Sequence, residues 1–163
     1  MKKLCLVVLA LFLCSSVFGA TLAEGVAAYK NKDYPAAFKI IRELAEQGDA
    51  DAQNNLGNMY DQGDGVTWDY KEAAKWFRMA AEQGNALAQY HLGILYANGE
   101  GVTKGYIQAH MWFTLSCSGG NEDAGKNCDK LAEKLAPFQI KEAKRLAKEK
   151  AAEIEEKKGG KVE

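Results

Sequence analysis

The chain has 163 residues, of which 47% are hydrophobic and 26% charged, and its formal net charge is −1. A chain of that size makes one domain that buries most of the surface it would expose unfolded. The balanced charge gives no basis for a nucleic-acid partner.

Met1-Lys2-Lys3 is a short basic start, and Leu4 to Phe18 is an apolar run of about fifteen residues. A membrane-spanning helix needs ~20, so the run reads as the hydrophobic region of a signal peptide covering residues 1–20. Cleavage after Gly19 or after Ala20 fits the small residues there, and the choice between them stays open. Leu13 is too large to precede a lipidated Cys14. No later apolar stretch is long enough to span a membrane. The protein is therefore expected to be exported, to the periplasm or beyond the cell.

Thr21 to Gly48 reads as a helix from Leu22 to about Lys30, a join through Asn31-Lys32-Asp33, and a second helix. Asp33 is an N-cap residue type. Pro35 falls in the first turn, where its missing N–H is not needed. Shifted by 36 residues, Tyr34, Ala37 and Gly48 land on Tyr70, Ala73 and Gly84. The segment 21–48 is a shortened form of the two segments after it and serves as an N-terminal capping repeat.

Residues 49–84 and 85–120 are two full copies of one unit. Ala52, Leu56, Gly57 and Tyr60 recur as Ala88, Leu92, Gly93 and Tyr96, and Gly63, Gly65 and Val66 as Gly99, Gly101 and Val102. In the second half Tyr70, Ala73, Trp76 and Phe77 recur as Tyr106, Ala109, Trp112 and Phe113. A period of this length marks a solenoid. Each copy predicts a first helix, a glycine turn and a second helix. Gly57 and Gly93 lie inside a helix at a cost of about 1 kcal/mol relative to alanine, so a neighbouring group must come close there. Asp69 is the expected N-cap of the second helix, with Glu72 placed to complete a capping box. Tyr70, Ala73, Trp76, Phe77, Ala80 and Ala81 form its buried stripe.

This pattern resembles the Sel-1-like repeat family, a longer-turned relative of the tetratricopeptide repeat. The first copy fits the family motif at Ala52, Leu56, Gly57, Tyr60, Gly63, Gly65, Val66, Asp69, Ala73, Trp76, Ala80, Ala81 and Gly84. The second departs from it at Gly105, Ser116 and Cys117. The resemblance implies an all-α, right-handed superhelical solenoid of antiparallel helix pairs that acts as a protein-interaction scaffold, with no implied activity.

After Gly120 a further first helix begins at Asn121 and runs to Leu135. Ala136-Pro137-Phe138 interrupts it. A last helix, Phe138 to about Lys157, carries Ile140, Ala143, Leu146 and Ala147 on one stripe. These C-terminal capping helices cover 121–158, and 159–163 are expected to be a disordered tail. Ala136 stands where family members place a threonine cap, which weakens that helix start by about 1 kcal/mol.

Few residues offer chemistry. His91 and His110 lie on different helices without a ligand partner at i+4, so no metal site or cofactor is expected, and both read as surface or half-buried. Ser116 and Ser118 lack the lysine three residues on that serine β-lactamases and penicillin-binding proteins require. The Gly-Asp-Gly turns lack the lysine of a phosphate loop. Cys117 and Cys128 survive cleavage in an oxidising compartment, on adjacent antiparallel helices. They are expected to pair as a disulfide or else to act as two small buried hydrophobes. A cysteine-rich branch of the family bridges successive helices in this way. Cys117 matches its first cysteine, whereas Cys128 lies three residues past its second. Trp68, in a turn position where the repeat demands nothing, is either an exposed anchor for a partner or a lid folded on the core.

In this repeat class the first helices line a concave groove. Opposite the motif stripe lie Asn54, Asn55, Asn58 and Asp61 in one copy and Tyr90, His91, Ile94 and Ala97 in the next. These residues either face solvent without further role or bind an extended peptide, the amides taking its backbone and the apolar spots its side chains. The leading expectation is an exported monomeric adaptor for a protein or peptide. An envelope enzyme or penicillin binder of the cysteine-rich type, and a secreted effector or immunity protein, are the alternatives.

Overall fold

The computed structural model describes residues 20–160; the expected signal peptide, but for Ala20, and residues 161–163 lie outside them. Among the described residues there are eight helices and no strand. They are α1 (Leu22–Lys30), α2 (Tyr34–Glu46), α3 (Ala50–Gln62), α4 (Tyr70–Ala81), α5 (Ala86–Asn98), α6 (Tyr106–Ser118), α7 (Glu122–Ala132) and α8 (Pro137–Gly159). Each helix from α1 to α6 packs on the next, so first helices (α1, α3, α5, α7) and second helices (α2, α4, α6) form two layers. α8 docks on α6 rather than running alongside α7. Its Ala147 joins Met111, Trp112 and Leu115 in the main core cluster, with Leu146 and Ala151 packed against it.

The helix starts follow from the sequence. Asp49, Asn85 and Asn121, one repeat apart, each accept the N–H three residues on, at 2.7, 2.9 and 3.2 Å. Thr21 and Glu24 form a reciprocal capping box. The box expected at Asp69 is only half made. Asp69 accepts from the Lys71 and Glu72 N–H groups, but the Glu72 carboxylate turns outward to Lys75, 3.1 Å away. Ala136 has no capping side chain; instead its N–H donates to the Gln139 side chain at 2.9 Å. α8 continues to Gly159, two residues past the expected end.

The glycines explain the repeat. A Cβ on Gly57 would lie 2.6 Å from the Phe77 ring, and one on Gly93 2.6 Å from the Phe113 ring. The aromatic side chain of each second helix thus seats in the notch of its own first helix, which is the close approach the sequence calls for. Gly65 and Gly101 have φ of 73° and 67°, and their Cβ positions fall 2.6 Å from the Tyr34 carbonyl oxygen and 2.0 Å from that of Tyr70. Each glycine turn therefore lies directly on the second helix of the preceding repeat.

Two buried glutamines also tie the repeats together. The Gln53 side chain donates to the Ala45 carbonyl and Gln89 to that of Ala81, both at 3.1 Å. Each satisfies a carbonyl at the end of the previous helix.

Candidate functional site

The layer of first helices holds a row of interstices between successive helices, each with one hydrophobic floor residue from the second layer. The floors are Ile41, Phe77 and Phe113, each beneath the helical glycine of its own repeat: Gly25, Gly57 and Gly93. Over them stand Asn55, His91 and Asn127, one repeat apart.

The first interstice is open. Val26 and Tyr29 of α1, Ile41, Asn55, Asn58 and Gln62 of α3, and His91 line a pocket of about 250 Å³. The Tyr29 hydroxyl donates to Asp64 at 2.5 Å. That bond, with burial adding to it, pushes the phenol up to about 12, so Tyr29 is neutral. The middle interstice is closed, because the His91 ring stacks on Phe77 at 4.9 Å with an interplanar angle of 18°. Burial holds this imidazole below its usual pKa, which keeps it neutral near pH 7. The last interstice is open again. Ile94, Ala97 and Asn98 of α5, Phe113, and Asn127, Lys130 and Leu131 of α7 line a second pocket of about 250 Å³.

Of the residues singled out from the sequence, the fold brings Asn55, Asn58 and His91 into one pocket and places Ile94 in the other. Asn54 does not join them. It is only 5% exposed, and its Oδ1 has no hydrogen-bond partner among the described residues. Its equivalent Tyr90 leans on Phe113 at 5.8 Å and on His91 at 5.7 Å, so this position points toward the second layer. Asp61 is half-buried outside both pockets. Burial raises its carboxyl pKa, helped by Glu100. Trp68 is 63% exposed and rests at the turn on Tyr70, ring centroids 5.2 Å apart; it is not a lid on the core. Sequence reasoning does not single out Gln62, Asn98, Asn127 or Lys130. The signal that could have found them is the 36-residue shift, which relates Gln62 to Asn98 and Asn58 to Lys130 by way of Ile94.

A cleft of about 350 Å³ lies elsewhere, lined by α6, α7 and α8, and holds the two cysteines with His110, Thr114, Ser118 and Lys144. The expected Cys117–Cys128 bond is not made in this structure; both are free thiols. The helix register gives the reason. Cys117 Sγ faces Gly125, 3.3 Å from where its Cβ would be, while Cys128 Sγ faces Thr114 Oγ1 at 3.6 Å. The cysteines are therefore staggered by one helical turn. Burial raises the Cys128 thiol pKa, which opposes thiolate formation. His110 is not a surface residue: it is 3% exposed, with Nδ1 3.2 Å from the Thr114 hydroxyl. The Ser116 hydroxyl is fully buried and donates to the Ala86 carbonyl at 2.6 Å, and Ser118 donates to the Thr114 carbonyl. The Ser116 hydroxyl thus ties α6 to the start of α5, and that of Ser118 bonds within α6. Among the described residues, no group of three His, Cys, Asp or Glu side chains is placed to hold a metal ion, and no helix is long and apolar enough to cross a membrane.

No curated protein sequence gives a match. Among solved structures, the chain is similar to c5321, a protective antigen present in uropathogenic Escherichia coli strains displaying an SLR fold. The identity is 32% and the TM-score 0.78, over 87% of this chain and 32% of that one. It is also similar to a Sel1 repeat protein from Oxalobacter formigenes, at 30% identity and TM-score 0.68, over 80% of this chain and 56% of that one. It thus spans about a third of the first relative and just over half of the second. Helicobacter pylori cysteine rich protein B shares the fold at 21% identity, with a TM-score of 0.54 over 66% of this chain and 97% of that one. The Sel1 repeat family model matches three consecutive stretches, residues 22–49, 50–85 and 86–121, which correspond to the helix pairs α1/α2, α3/α4 and α5/α6. With the repeat glycines, their aromatic partners and the two-layer stack all in place, the chain belongs to the Sel1 repeat family.

Proposed function

We propose that this protein is an exported interaction scaffold that binds an extended segment of a partner protein along its concave layer. Sel1 repeat proteins are in general protein-interaction scaffolds, so the class of function follows from the family. The groove, the peptide and the export are our reading. The observation that carries it is the convergence of Asn55, Asn58, Gln62 and His91 over the apolar floor of Ile41. The Asn55 and Asn58 side chains make no hydrogen bond within the described residues. A carboxamide offers both donor and acceptor, which is what a peptide backbone requires. Val26 and Tyr29, above the buried Ile41, supply an apolar wall for one side chain. Export rests on the basic start and apolar run at residues 1–20.

The test compares the protein with an Asn55→Asp, Asn58→Asp, His91→Ala, Ile94→Asp variant in pull-downs from envelope extract, after circular dichroism shows that both fold alike. A partner retained by the parent and lost by the variant is the expected result. The same partners on both would move the binding face to Trp68 and the convex layer. Fractionation of the expressing cell, with mass spectrometry of the new N-terminus at Ala20 or Thr21, checks export.

A further inference from the structure

The row of floors and the residues above them carry the reading of this groove one step further. Beside Asn55 and beside Asn127 a pocket of about 250 Å³ opens next to the floor residue, although Ile41 and Phe113 are themselves only 1% and 2% exposed. Over Phe77 the larger imidazole of His91 covers the floor. The open interstices therefore lie two repeats apart, with a plug between them. They also differ in charge. The first is lined by Val26, Tyr29, Ile41 and neutral polar groups. The second holds Lys130 with Asn98 and Asn127; no carboxylate lines it, and the Asn98 amide donates to the neighbouring Glu100 carboxylate at 2.9 Å. Lys130 is exposed and forms no salt bridge among the described residues.

We infer that the groove takes a two-anchor ligand: an extended protein segment with an aliphatic side chain seated against Val26 and Tyr29 above Ile41 and an acidic side chain held by Lys130 and Asn127. The spacing follows from geometry. Packed helices lie about 8–10 Å apart, so two repeat steps separate the pockets by roughly 16–20 Å. An extended chain advances about 3.3 Å per residue, which puts the two anchors five or six residues apart. His91 leaves no room for a large side chain midway. This inference rests on the groove being the binding face.

The experiment is selection of a phage-displayed random dodecapeptide library on the protein, counter-selected on the Asn58→Asp variant. The expected pool carries an aliphatic residue and an Asp or Glu five or six positions apart. An enriched peptide should lose about tenfold or more in affinity on Lys130→Glu, as befits a lost charge-assisted contact, and selection on that variant should favour Lys or Arg at the same position. Asn127→His, which copies the plug into the last interstice, should remove the acidic preference while keeping the aliphatic one. Peptides that depend on Asn58 but show neither the charge nor the spacing would overturn the two-anchor ligand and leave the groove reading standing. A selection in which no peptide survives the counter-selection would overturn both.

Discussion

A methyl group on Gly93 would sit 2.6 Å from the Phe113 ring. Elsewhere in a helix, glycine to alanine gains about 1 kcal/mol. Here the ring is buried against Tyr90 and the helix, and overpacking costs about 1–3 kcal/mol. Gly93→Ala is therefore expected to destabilise the protein, with the urea midpoint falling and the slope unchanged. Adding Phe113→Leu should recover part of the loss; a rise in midpoint for the single variant would show that the ring is free to shift. Single residues also show how narrowly sequence reading locates a site. Asn54 and Asn55 are neighbours of the same type. A step of one residue turns the helix by about 100°, and only Asn55 reaches the pocket. The motif stripe is broad enough to admit either assignment.

Among the helices and turns, the glycine turns couple one repeat to the next. Gly101 has φ of 67° and lies on the Tyr70 carbonyl, whereas Gly120 has φ of 93° with nothing within 4 Å of its Cβ position. Both alanine substitutions incur the left-handed strain, about 1–2 kcal/mol. Only Gly101→Ala adds a collision with backbone, so it should be distinctly the less stable in thermal unfolding; equal losses would mean that the turn does not carry the contact. The α6/α7 pair gives a second test. Cys117 faces Gly125 rather than Cys128, so Gly125→Cys should form a disulfide with Cys117. The bond would be visible as a gain in melting temperature that a reductant abolishes, roughly 2–3 kcal/mol for a loop this short. If the Gly125→Cys protein instead pairs Cys117 with Cys128, the one-turn stagger between α6 and α7 is refuted. Sequence spacing places both cysteines on adjacent helices but leaves open which turn of one faces which turn of the other.

For the molecule as a whole, acidity is the relevant variable. His91 and His110 both titrate below the ordinary imidazole value of 6.5, burial being the chief cause in each. At His110 its own backbone and Asp129 oppose that shift and Lys144 adds to it. The unfolded chain takes up these protons more readily than the folded one. The histidine contribution to stability is therefore complete above about pH 6.5 and is lost as pH falls through the lowered folded values. The melting temperature should drop between pH 7.5 and 5. His91→Phe, which keeps a ring on Phe77, should flatten part of that slope; an unchanged slope would remove His91 from the account. Protonating His91 would also put charge into the neutral pocket, so peptide binding over Ile41 should weaken over the same range.

The repeat, the helix pairs and the need for close approach at Gly57 and Gly93 are legible in the order of the amino acids, because their causes are local: caps, turn glycines and a stripe with helical period. The same periodicity puts Asn55, Asn58, His91 and Ile94 on the face they occupy. Packing between helices settles the rest. It docks α8 on α6, staggers the cysteines by a turn, and lets His91 close one interstice while Asn55 and Asn127 leave theirs open. Those outcomes depend on the register between helices, which is set by side-chain volumes meeting across the layers. No periodicity within a single helix records that register.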